Sequence, residues 1–451
     1  MAQEIKTRGM SQQNKVLTLS TLSFTMLFAV WMMFGVLGIP IQKEFGLSDQ
    51  QLAWLPAVAI LNGSIWRLMT GIWADQLGGR KMMVGILFAS AVPTYLVTTA
   101  NTYTQLLIYA FFAGFAGNSF SVGIAWNSAW FPRNRQGLAL GTFGAGNVGA
   151  SVTKLVGPIL ITTVPIVGYF GGFVPGGWRF IPFSYSVILI TLGVLLLAFS
   201  PKPDRIPGKG RNFLAMLKPM SEIRVWRFSL YYLVVFGAYV ALASWLPKYF
   251  ISVYSLTLTK AALLTALFIF PASLLRPFGG YLSDQFGARK VMYATFTVIL
   301  LTTGILMMPY GHIVVYGSQG LGSPGTRNVL YWEMPLNTFV SLVFILGVAM
   351  GVGKAAVYKH IPEYFPNDVG AVGGLVGMFG ALGGFFLVPL FAYMTVKTGA
   401  PQSMFGILFL VSLTAFIWMH STIFIMLHKQ NPEGKHHFDY GHKSTTTSEV
   451  K

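Results

Sequence analysis

Long apolar runs alternate with short polar loops along the whole chain. Each run is long enough for an α-helix of roughly 20 residues to cross a bilayer. A longer polar segment, residues 201–227, separates two groups of six runs. The pattern predicts an all-α membrane protein with transmembrane helices near residues 20–42, 53–75, 82–100, 104–131, 136–163, 180–200, 228–250, 260–283, 290–310, 337–358, 370–396 and 403–428.

The twelve predicted helices form two halves that repeat each other in sequence. The segment GSIWRLMTGIWADQLGGRK, which begins at Gly63, has a counterpart in LLRPFGGYLSDQFGARK, which ends at Lys290. A parallel repeat of this kind places a central site between two pseudo-symmetric six-helix halves. We therefore predict a first half at residues 1–200, a linker at 201–227, a second half at 228–428 and a tail at 429–451. The matched pairs, each 209 residues apart, are Arg67 with Arg276, Asp75 with Asp284, and Arg80 with Arg289.

A second match extends the repeat to the end of the fourth and tenth predicted helices. Phe131-Pro132 recurs as Phe365-Pro366, which is 234 residues later. The larger offset fits a glycine-rich insertion in the second half, near residues 311–335.

Composition supports a membrane protein and excludes several other classes. Hydrophobic residues make up 54% of the chain and charged residues 10%, whereas soluble domains carry about 25% charged residues. The sequence contains no cysteine, which excludes disulfides and thiolate metal sites. Residues 1–19 are polar and basic, so we expect the first apolar run to remain as a span and not to be a cleaved signal peptide.

The net charge of +18 is explained by the orientation of the chain in a membrane. Basic residues concentrate in the linker and in the loops at Arg80, Arg133 and Arg289. The positive-inside rule then predicts that both termini and the linker are cytoplasmic. The sequence contains no stripe of basic residues interleaved with aromatics, so it gives no indication of a nucleic-acid partner.

Four cations lie within the predicted spans, whereas no acidic residue lies in the middle of one. A cation at the bilayer centre costs a few kcal/mol, and its usual partner is a carboxylate. We predict that the missing partner is an anionic substrate, held by a guanidinium pair whose planar donors suit a small oxyanion. The alternative is that the arginines reach a helix end or bond to backbone carbonyls. The four cations are Arg67, Lys154, Arg276 and Lys354.

The segment Gly71-x-x-x-Asp75-x-x-Gly78-x-Arg80-Lys81 resembles the loop motif after the second helix of the major facilitator superfamily. Residues 280–290 resemble the same motif after the eighth helix. The resemblance implies that these residues latch neighbouring helices at the cytoplasmic side during gating. The predicted gating residues are Asp75, Arg80, Asp284 and Arg289.

The fifth and eleventh predicted helices are rich in glycine, at residues 137–158 and 370–389. Small residues at these spacings let helix backbones approach closely. Together with the arginine pair, they resemble the paired glycine motifs of the nitrate/nitrite porter family. Residues 351–366 resemble the tenth helix of its proton-coupled, NarK-like type I branch. The resemblance implies a substrate site formed by Arg67, Arg276, Asn147, Tyr232, Phe236 and Phe120.

Lys154 and Lys354 differ from the antiporter branch of that family. A buried ammonium is costly to keep charged, so a lysine inside a span can bind and release a proton during a cycle. We predict that Lys354 and Lys154 are candidates for proton coupling. The alternative is that each lysine lies near a helix end or permanently neutralises the cavity.

The sequence therefore predicts a secondary active transporter that imports nitrate across a bacterial inner membrane together with protons. A nitrate/nitrite antiporter is the main alternative, and a carrier of another small anion or of a sugar phosphate is a more distant one. The predicted spans contain no metal-ligand cluster, activated nucleophile or paired carboxylate that would indicate an enzyme. We expect no cofactor or metal, nitrate and possibly nitrite as substrates, protons and the lipid bilayer as partners, and a monomer.

Overall fold

The computed structural model describes residues 2–210, 212–309, 311–315, 327–365 and 369–425. Pro366 and the predicted tail at 429–451 lie outside the described residues. The α-helices are α1 Ala2–Trp31, α2 Phe34–Phe45, α3 Asp49–Ile65, α4 Arg67–Leu77, α5 Gly79–Leu96, α6 Tyr103–Ala113, α7 Ser119–Trp130, α8 Arg133–Gly144, α9 Gly149–Thr163, α10 Phe180–Phe199, α11 Phe213–Met216, α12 Ile223–Tyr232, α13 Ala238–Tyr254, α14 Leu258–Leu274, α15 Arg276–Phe286, α16 Ala288–Leu306, α17 Leu336–Tyr364, α18 Val369–Thr398 and α19 Ser403–Ile425.

Eleven helical segments in the described part of the chain are long and apolar enough to cross a membrane. The twelfth crossing, residues 133–163, begins with the polar sequence RNRQ and is rich in glycine, which lowers its mean hydropathy. The predicted twelve-helix organisation is confirmed. Each predicted span matches one helix or a pair of consecutive helices, such as α3–α4 for the second span and α14–α15 for the eighth.

Two features differ from the predicted outline. Strands β1 Gly311–Val315 and β2 Arg327–Trp332 form an antiparallel hairpin in the glycine-rich insertion, because their β-branched and aromatic residues favour extended backbone. The linker in the structure is shorter than the predicted segment 201–227, because α12 already begins at Ile223. Apolar residues alternate with Arg224 and Arg227 there, and long arginine side chains allow a helix to extend past the apolar layer.

The structural repeat also extends upstream of the sequence match. Gly46 and Ser255, which are 209 residues apart, both adopt left-handed backbone after the helix that precedes them. Ser48 and Thr257 then accept a backbone hydrogen bond and begin α3 and α14, as N-cap residues do. The second and eighth spans therefore begin with the same local structure.

The two halves pack against each other through the glycine-rich helices. α18 of the second half lies along α3 and α4, and α8 and α9 of the first half lie along α15 and α14. Close approach needs glycine at these positions, since a Cβ on Gly374 would lie 3.0 Å from the Arg67 carbonyl oxygen. We call the end of the bundle that carries Arg80 and Arg289 the basic end, and the other the opposite end.

Candidate functional site

The two arginines of the repeat occupy equivalent positions in broken helices. Arg67 begins α4 and Arg276 begins α15. The residue before each, Trp66 and Leu275, has φ and ψ of −87° and −3°, and of −85° and 3°. This backbone region is sparsely populated and is common near functional sites. The shared break presents both side chains to the interior of the bundle.

Each guanidinium reaches a backbone carbonyl of the opposite half. The Arg67 Nη1 atom donates to the Gly377 carbonyl at 3.2 Å, and its Nε atom donates to Gly63 at 2.8 Å. The Arg276 Nη1 atom donates to the Gly144 carbonyl at 3.4 Å. The exposed fractions of Arg67 and Arg276 are 0% and 2%. The alternative prediction was that the arginines bond to backbone carbonyls or reach a helix end. The carbonyl bonds are present, but neither arginine extends to a helix end exposed to solvent.

Phe120 joins the two cations. The Cζ atoms of Arg67 and Arg276 lie over its ring, at 5.3 Å and 5.2 Å from the centroid. Arg67 also lies over Phe236 at 5.2 Å and over Trp31 at 4.9 Å. Cation–π attraction is strongest away from water. The aromatic rings thus stabilise two like charges that would otherwise repel each other.

Tyr232 and Phe236 continue this aromatic cluster from the seventh span. Their rings stack at 4.8 Å with an interplanar angle of 12°, and both stack against Phe120. A π-helical turn at Leu233–Gly237 lies between α12 and α13. Such turns are rare and are frequent at functional sites. The turn places both rings on the inner face of the span.

Several buried polar atoms of this region have no hydrogen-bond partner within the described structure. They are Arg67 Nη2, Arg276 Nε, and both amide atoms of Asn147. Asn147 lies in a 3-10 turn, Ala145–Val148, that follows Gly144 directly. Buried polar groups are normally paired, so these three donors and one acceptor could bind a small polar ligand between the halves. None of the described carboxylates forms an ion pair with either arginine.

The two lysines occupy different places. The Lys354 Nζ atom donates to the Ala272 carbonyl at 3.0 Å, lies 3.0 Å from the centre of the Tyr239 ring, and interacts electrostatically with Arg276. The Lys154 Nζ atom is also buried but has no hydrogen-bond partner in the described chain. It lies beside Gly35, nearer the opposite end. Lys354 therefore belongs to the arginine site, and Lys154 lies apart from it.

The predicted gating residues lie together at the basic end. The Asp75 carboxylate lies against Gly370 at the start of α18, which belongs to the other half. Asp284 forms an ion pair with Lys359, and the Arg289 guanidinium donates to the Tyr364 hydroxyl. Arg80 donates to the Leu197 carbonyl and to Ser200. Of the four, Asp75 is the residue whose described contact joins the two halves.

Three residues of this region were not identified from the sequence. Trp31 packs on Arg67, and Tyr358 donates to the Gly373 carbonyl at 2.8 Å while contacting Phe120 edge-on. Asp204 accepts from Trp126, from Trp130 and from the backbone of Arg80. The aromatic residues carried no distinguishing signal in a chain with 15% aromatic residues. Asp204 follows a proline in the linker, and only the fold reveals what it contacts.

Comparisons with known proteins show the family to which the chain belongs. The Major Facilitator Superfamily profile matches residues 19–322 and 254–447. The chain is 63% identical to a probable nitrate/nitrite antiporter, NarK1, of Thermus thermophilus, over 94% of this chain and 95% of that protein. It is 28% identical to a nitrite extrusion protein of Bacillus subtilis strain 168, over 91% of this chain and 95% of that protein.

Solved structures support the fold. A bacterial homologue of the human lysosomal transporter Spinster, in an inward-facing and occupied conformation, matches with a TM-score of 0.64 and 16% identity, over 91% of this chain and 97% of that one. The human organic anion transporter MFSD10 matches with a TM-score of 0.63 and 14% identity, over 90% of this chain and 99% of that one. These families consist of transporters, so the expectation of a transporter and not an enzyme is confirmed. The chain is a multi-pass membrane protein that belongs to the NarK-like nitrate/nitrite porter family of the major facilitator superfamily.

Proposed function

We propose that this protein imports nitrate, with nitrite as a second substrate, across a bacterial inner membrane, and that the anion binds between Arg67 and Arg276. One observation carries the proposal: two repeat-related guanidiniums lie buried over the same ring, Phe120, without a carboxylate partner in the described chain. A flat oxyanion accepts in-plane hydrogen bonds from guanidinium donors. Its faces can stack on the neighbouring rings. The names of the relatives support these substrates.

Two contacts between the halves support a connection between anion binding and movement of the halves. Each arginine belongs to one half and donates to a carbonyl of the other, at Gly377 and at Gly144. An anion between the guanidiniums screens the repulsion between two like charges at short range. The closed arrangement of the halves is then favoured when the substrate is present. This differential stabilisation is what a transporter needs in order to change state with its cargo.

We propose proton symport as the mode of coupling, with Lys354 as the proton carrier. The membrane potential opposes entry of an anion by about 2.3 kcal/mol for each 100 mV, so uptake requires more than one proton for each nitrate or an outgoing anion in exchange. Lys354 interacts with Arg276, so its proton raises the positive charge where the anion binds. Exchange of nitrate for nitrite is the competing mode, because the Thermus thermophilus relative is named a probable antiporter.

Counterflow in liposomes separates the two modes. Purified protein is reconstituted with nitrate or nitrite inside, and uptake of labelled nitrate is measured together with the internal pH. Symport predicts uptake into anion-free liposomes with proton influx. Uptake that requires internal nitrite, without proton movement, would establish exchange. Absence of uptake under both conditions would contradict the proposed substrate.

The basic end faces the cytoplasm in this proposal. Arg80, Arg205 and Arg289 lie at that end, as the positive-inside rule requires. Both termini would then be cytoplasmic. Protease protection of a tag fused to the first residue, measured in inverted and right-side-out vesicles, tests the orientation.

A further inference from the structure

The fifth span carries three polar side chains on one face, and each has a buried polar atom without a hydrogen-bond partner in the described chain. They are Asn147, Ser151 and Lys154, which are four and three residues apart. Residues at this spacing lie above one another on one side of a helix. None is more than 1% exposed. We call these three residues the polar track, and it extends about 10 Å from Asn147 toward the opposite end.

The polar track lies at the boundary between the two halves. The adjoining face of α9 packs inside the first half, where the Thr153 hydroxyl is hydrogen-bonded to the Tyr185 hydroxyl of α10 at 2.7 Å. α9 also lies along α14 of the second half. The Lys154 Nζ atom lies where α2 meets α13, since a Cβ on Gly35 would lie 3.2 Å from Nζ and 3.1 Å from the Ser244 Cα atom. Movement of the halves therefore changes the surroundings of this ammonium.

Lys154 lies just inside the contacts that close the opposite end. Lys248, one turn beyond Ser244 in α13, forms an ion pair with Asp49 of the first half at 2.8 Å. Gln42 of α2 donates to the same carboxylate at 2.8 Å. Asp49 thus has its own partners, and no described carboxylate bonds the Lys154 Nζ atom. When these contacts separate, water that enters from the opposite end reaches the Lys154 ammonium.

An ammonium in this position favours a small anion as its partner. A buried charge is costly unless it is paired and hydrogen-bonded, and a small oxyanion supplies both the charge and the acceptor atoms. An ammonium has three rotating donors, so it binds an anion without fixing its orientation, unlike a planar guanidinium. The Ser151 hydroxyl and the Asn147 amide offer further unpaired groups between Lys154 and the arginine site.

The polar track has no counterpart in the second half. The carbonyl partners of the two arginines, Gly144 and Gly377, are equivalent positions of the fifth and eleventh spans. Counted from Gly377 as the track is counted from Gly144, the matching residues are Gly380, Gly384 and Leu387. Packing of the repeat therefore does not require polar side chains at these places.

We propose that Lys154 forms a second binding site for nitrate or another small oxyanion. This entry site receives the anion from the opposite end and passes it along the polar track to the arginine site. The inference rests on the proposed function for the identity of the anion. It assigns Lys154 a role in binding the substrate, which is separate from the proton coupling proposed for Lys354.

The charge at the entry site is tested with Ser244→Cys, because the natural chain contains no cysteine. The protein in liposomes is treated with two small methanethiosulfonates, one with a sulfonate and one with a trimethylammonium group. The rate of the anionic reagent divided by that of the cationic one does not depend on how often the opposite end opens. A unit charge roughly 6 Å away in water changes this ratio about tenfold.

Lys154→Gln and Lys154→Met should therefore each lower the ratio of rates about tenfold. Lys43→Gln is the matched control, because it removes an exposed cation from the same end of the bundle, and it should leave the ratio nearly unchanged. Thermal stability of the purified variants verifies that they are folded. An unchanged ratio in both Lys154 variants, or no reaction of position 244 with either reagent, overturns the proposal.

Nitrate binding at the entry site is tested by replacing gluconate with nitrate at constant ionic strength. Nitrate on the ammonium should lower the ratio severalfold in protein with Lys154 and leave it unchanged in Lys154→Gln. The effect should persist in Arg67→Lys, which weakens the arginine site.

The same measurements separate this proposal from the proposed function. Nitrate that slows both reagents equally, with an effect that is lost in Arg67→Lys, acts from the arginine site alone and overturns the entry site. A ratio that nitrate does not change also overturns it. A lowered ratio in a protein that transports no nitrate would support the entry site and contradict the proposed function.

Discussion

At the scale of single residues, the guanidinium group explains why arginine and not lysine occupies positions 67 and 276. Each side chain contacts Phe120 and bonds a carbonyl of the opposite half. In the proposed site it must also present a donor to the anion. A guanidinium has five donors in one plane, whereas an ammonium is a point charge with three rotating donors. An ammonium can satisfy the charge requirement but not all three contacts at once.

We therefore predict that Arg67→Lys and Arg276→Lys each weaken nitrate binding by about tenfold to a hundredfold, the range for a lost hydrogen bond to a charged group. Both variants should still insert and fold. The measurement is nitrate-dependent uptake in liposomes, together with the thermal stability of the purified protein. Arg224→Lys, an exposed position outside the site, is the control. Near wild-type affinity in both site variants would show that the anion binds elsewhere.

Lys354 leads to a prediction about energy coupling. Because its Nζ atom bonds the Ala272 carbonyl and interacts with Arg276, its charge would act directly on an anion bound in the proposed site. Lys354→Gln should abolish most uptake driven by a pH gradient, while nitrate–nitrate exchange at equal pH is reduced much less. Lys154→Gln should have a smaller effect on coupling, since Lys154 lies apart from the arginine site.

Proton influx on addition of nitrate, compared with labelled exchange in the same liposomes, provides the measurement. If proton influx is unchanged in both lysine variants, protons are carried by another group. If the wild-type protein shows exchange alone, coupling through lysine is wrong.

The residue types of the site were predictable from sequence to different degrees. Arg67 and Arg276 stood out because a charge inside an apolar run is rare and because the pair repeats. The importance of Trp31 and Tyr358 was not predictable, since an aromatic residue in a membrane helix most often faces lipid or packs. Their role depends on contacts between different spans, which a local pattern does not contain.

At the scale of the elements, helix irregularities position the site. The second and eighth spans break before the arginines, the fifth contains a 3-10 turn at Asn147, and the seventh contains a π-helical turn. The fourth has a 3-10 turn, Gly114–Asn118, just before Phe120. Long apolar runs predicted the spans because their signal averages over many residues. It did not predict these breaks, because each involves only one to five residues.

The two carbonyls that the arginines contact belong to glycines, Gly144 of the fifth span and Gly377 of the eleventh. These glycines lead to a prediction. A Cβ on Gly144 would lie 2.7 Å from the Arg276 Cζ atom, whereas a Cβ on Gly377 would lie 2.9 Å from the Tyr358 hydroxyl oxygen and 3.6 Å from the Arg67 Cδ atom. Gly144→Ala should therefore displace the guanidinium and lower nitrate affinity about tenfold or more, whereas Gly377→Ala should displace the Tyr358 hydroxyl and not the guanidinium, and lower the affinity less.

Gly85→Ala is the matched control, because a Cβ there has no atom within 4 Å and alanine is the better helix former by up to about 1 kcal/mol. Isothermal titration with nitrate in detergent gives the affinities. Equal affinity of the Gly144→Ala variant and the Gly85→Ala control would show that Arg276 tolerates the added methyl group or does not bind the anion.

At the scale of the whole molecule, the residues of the candidate site are buried, and the two halves contact each other at both ends of the bundle. At the opposite end, Lys248 of the second half forms an ion pair with Asp49 of the first half at 2.8 Å. At the basic end, Asp75 lies against the start of α18. The motif repeat predicted that Asp75 and Asp284 would act at one end. It did not predict that Asp284 pairs within its own half, or that Asp49 pairs across the halves, because these partners come from distant spans.

These contacts predict opposite shifts in the equilibrium between states. Asp49→Asn removes a partly exposed ion pair worth up to about 1 kcal/mol, so the state open at the opposite end should gain population by up to about fivefold. Asp75→Asn removes a charge favoured by the N-terminus of α18, so the state open at the basic end should gain instead. Intrinsic nitrate affinity should change little in either variant, since neither carboxylate touches the arginines.

Accessibility of a single introduced cysteine measures the shift, with a maleimide that does not cross the membrane. Ser244→Cys lies in α13 toward the opposite end, and Ser121→Cys lies beside Gly71 toward the basic end; both positions are buried in the closed structure. Asp49→Asn should accelerate labelling at position 244 only, and Asp75→Asn at position 121 only. Exchanging the charges with Asp49→Lys and Lys248→Asp should restore slow labelling at position 244, because the ion pair is reformed with reversed polarity. Faster labelling at both positions in either variant would indicate general loosening of the fold, and the two contacts would then not be gates of separate ends.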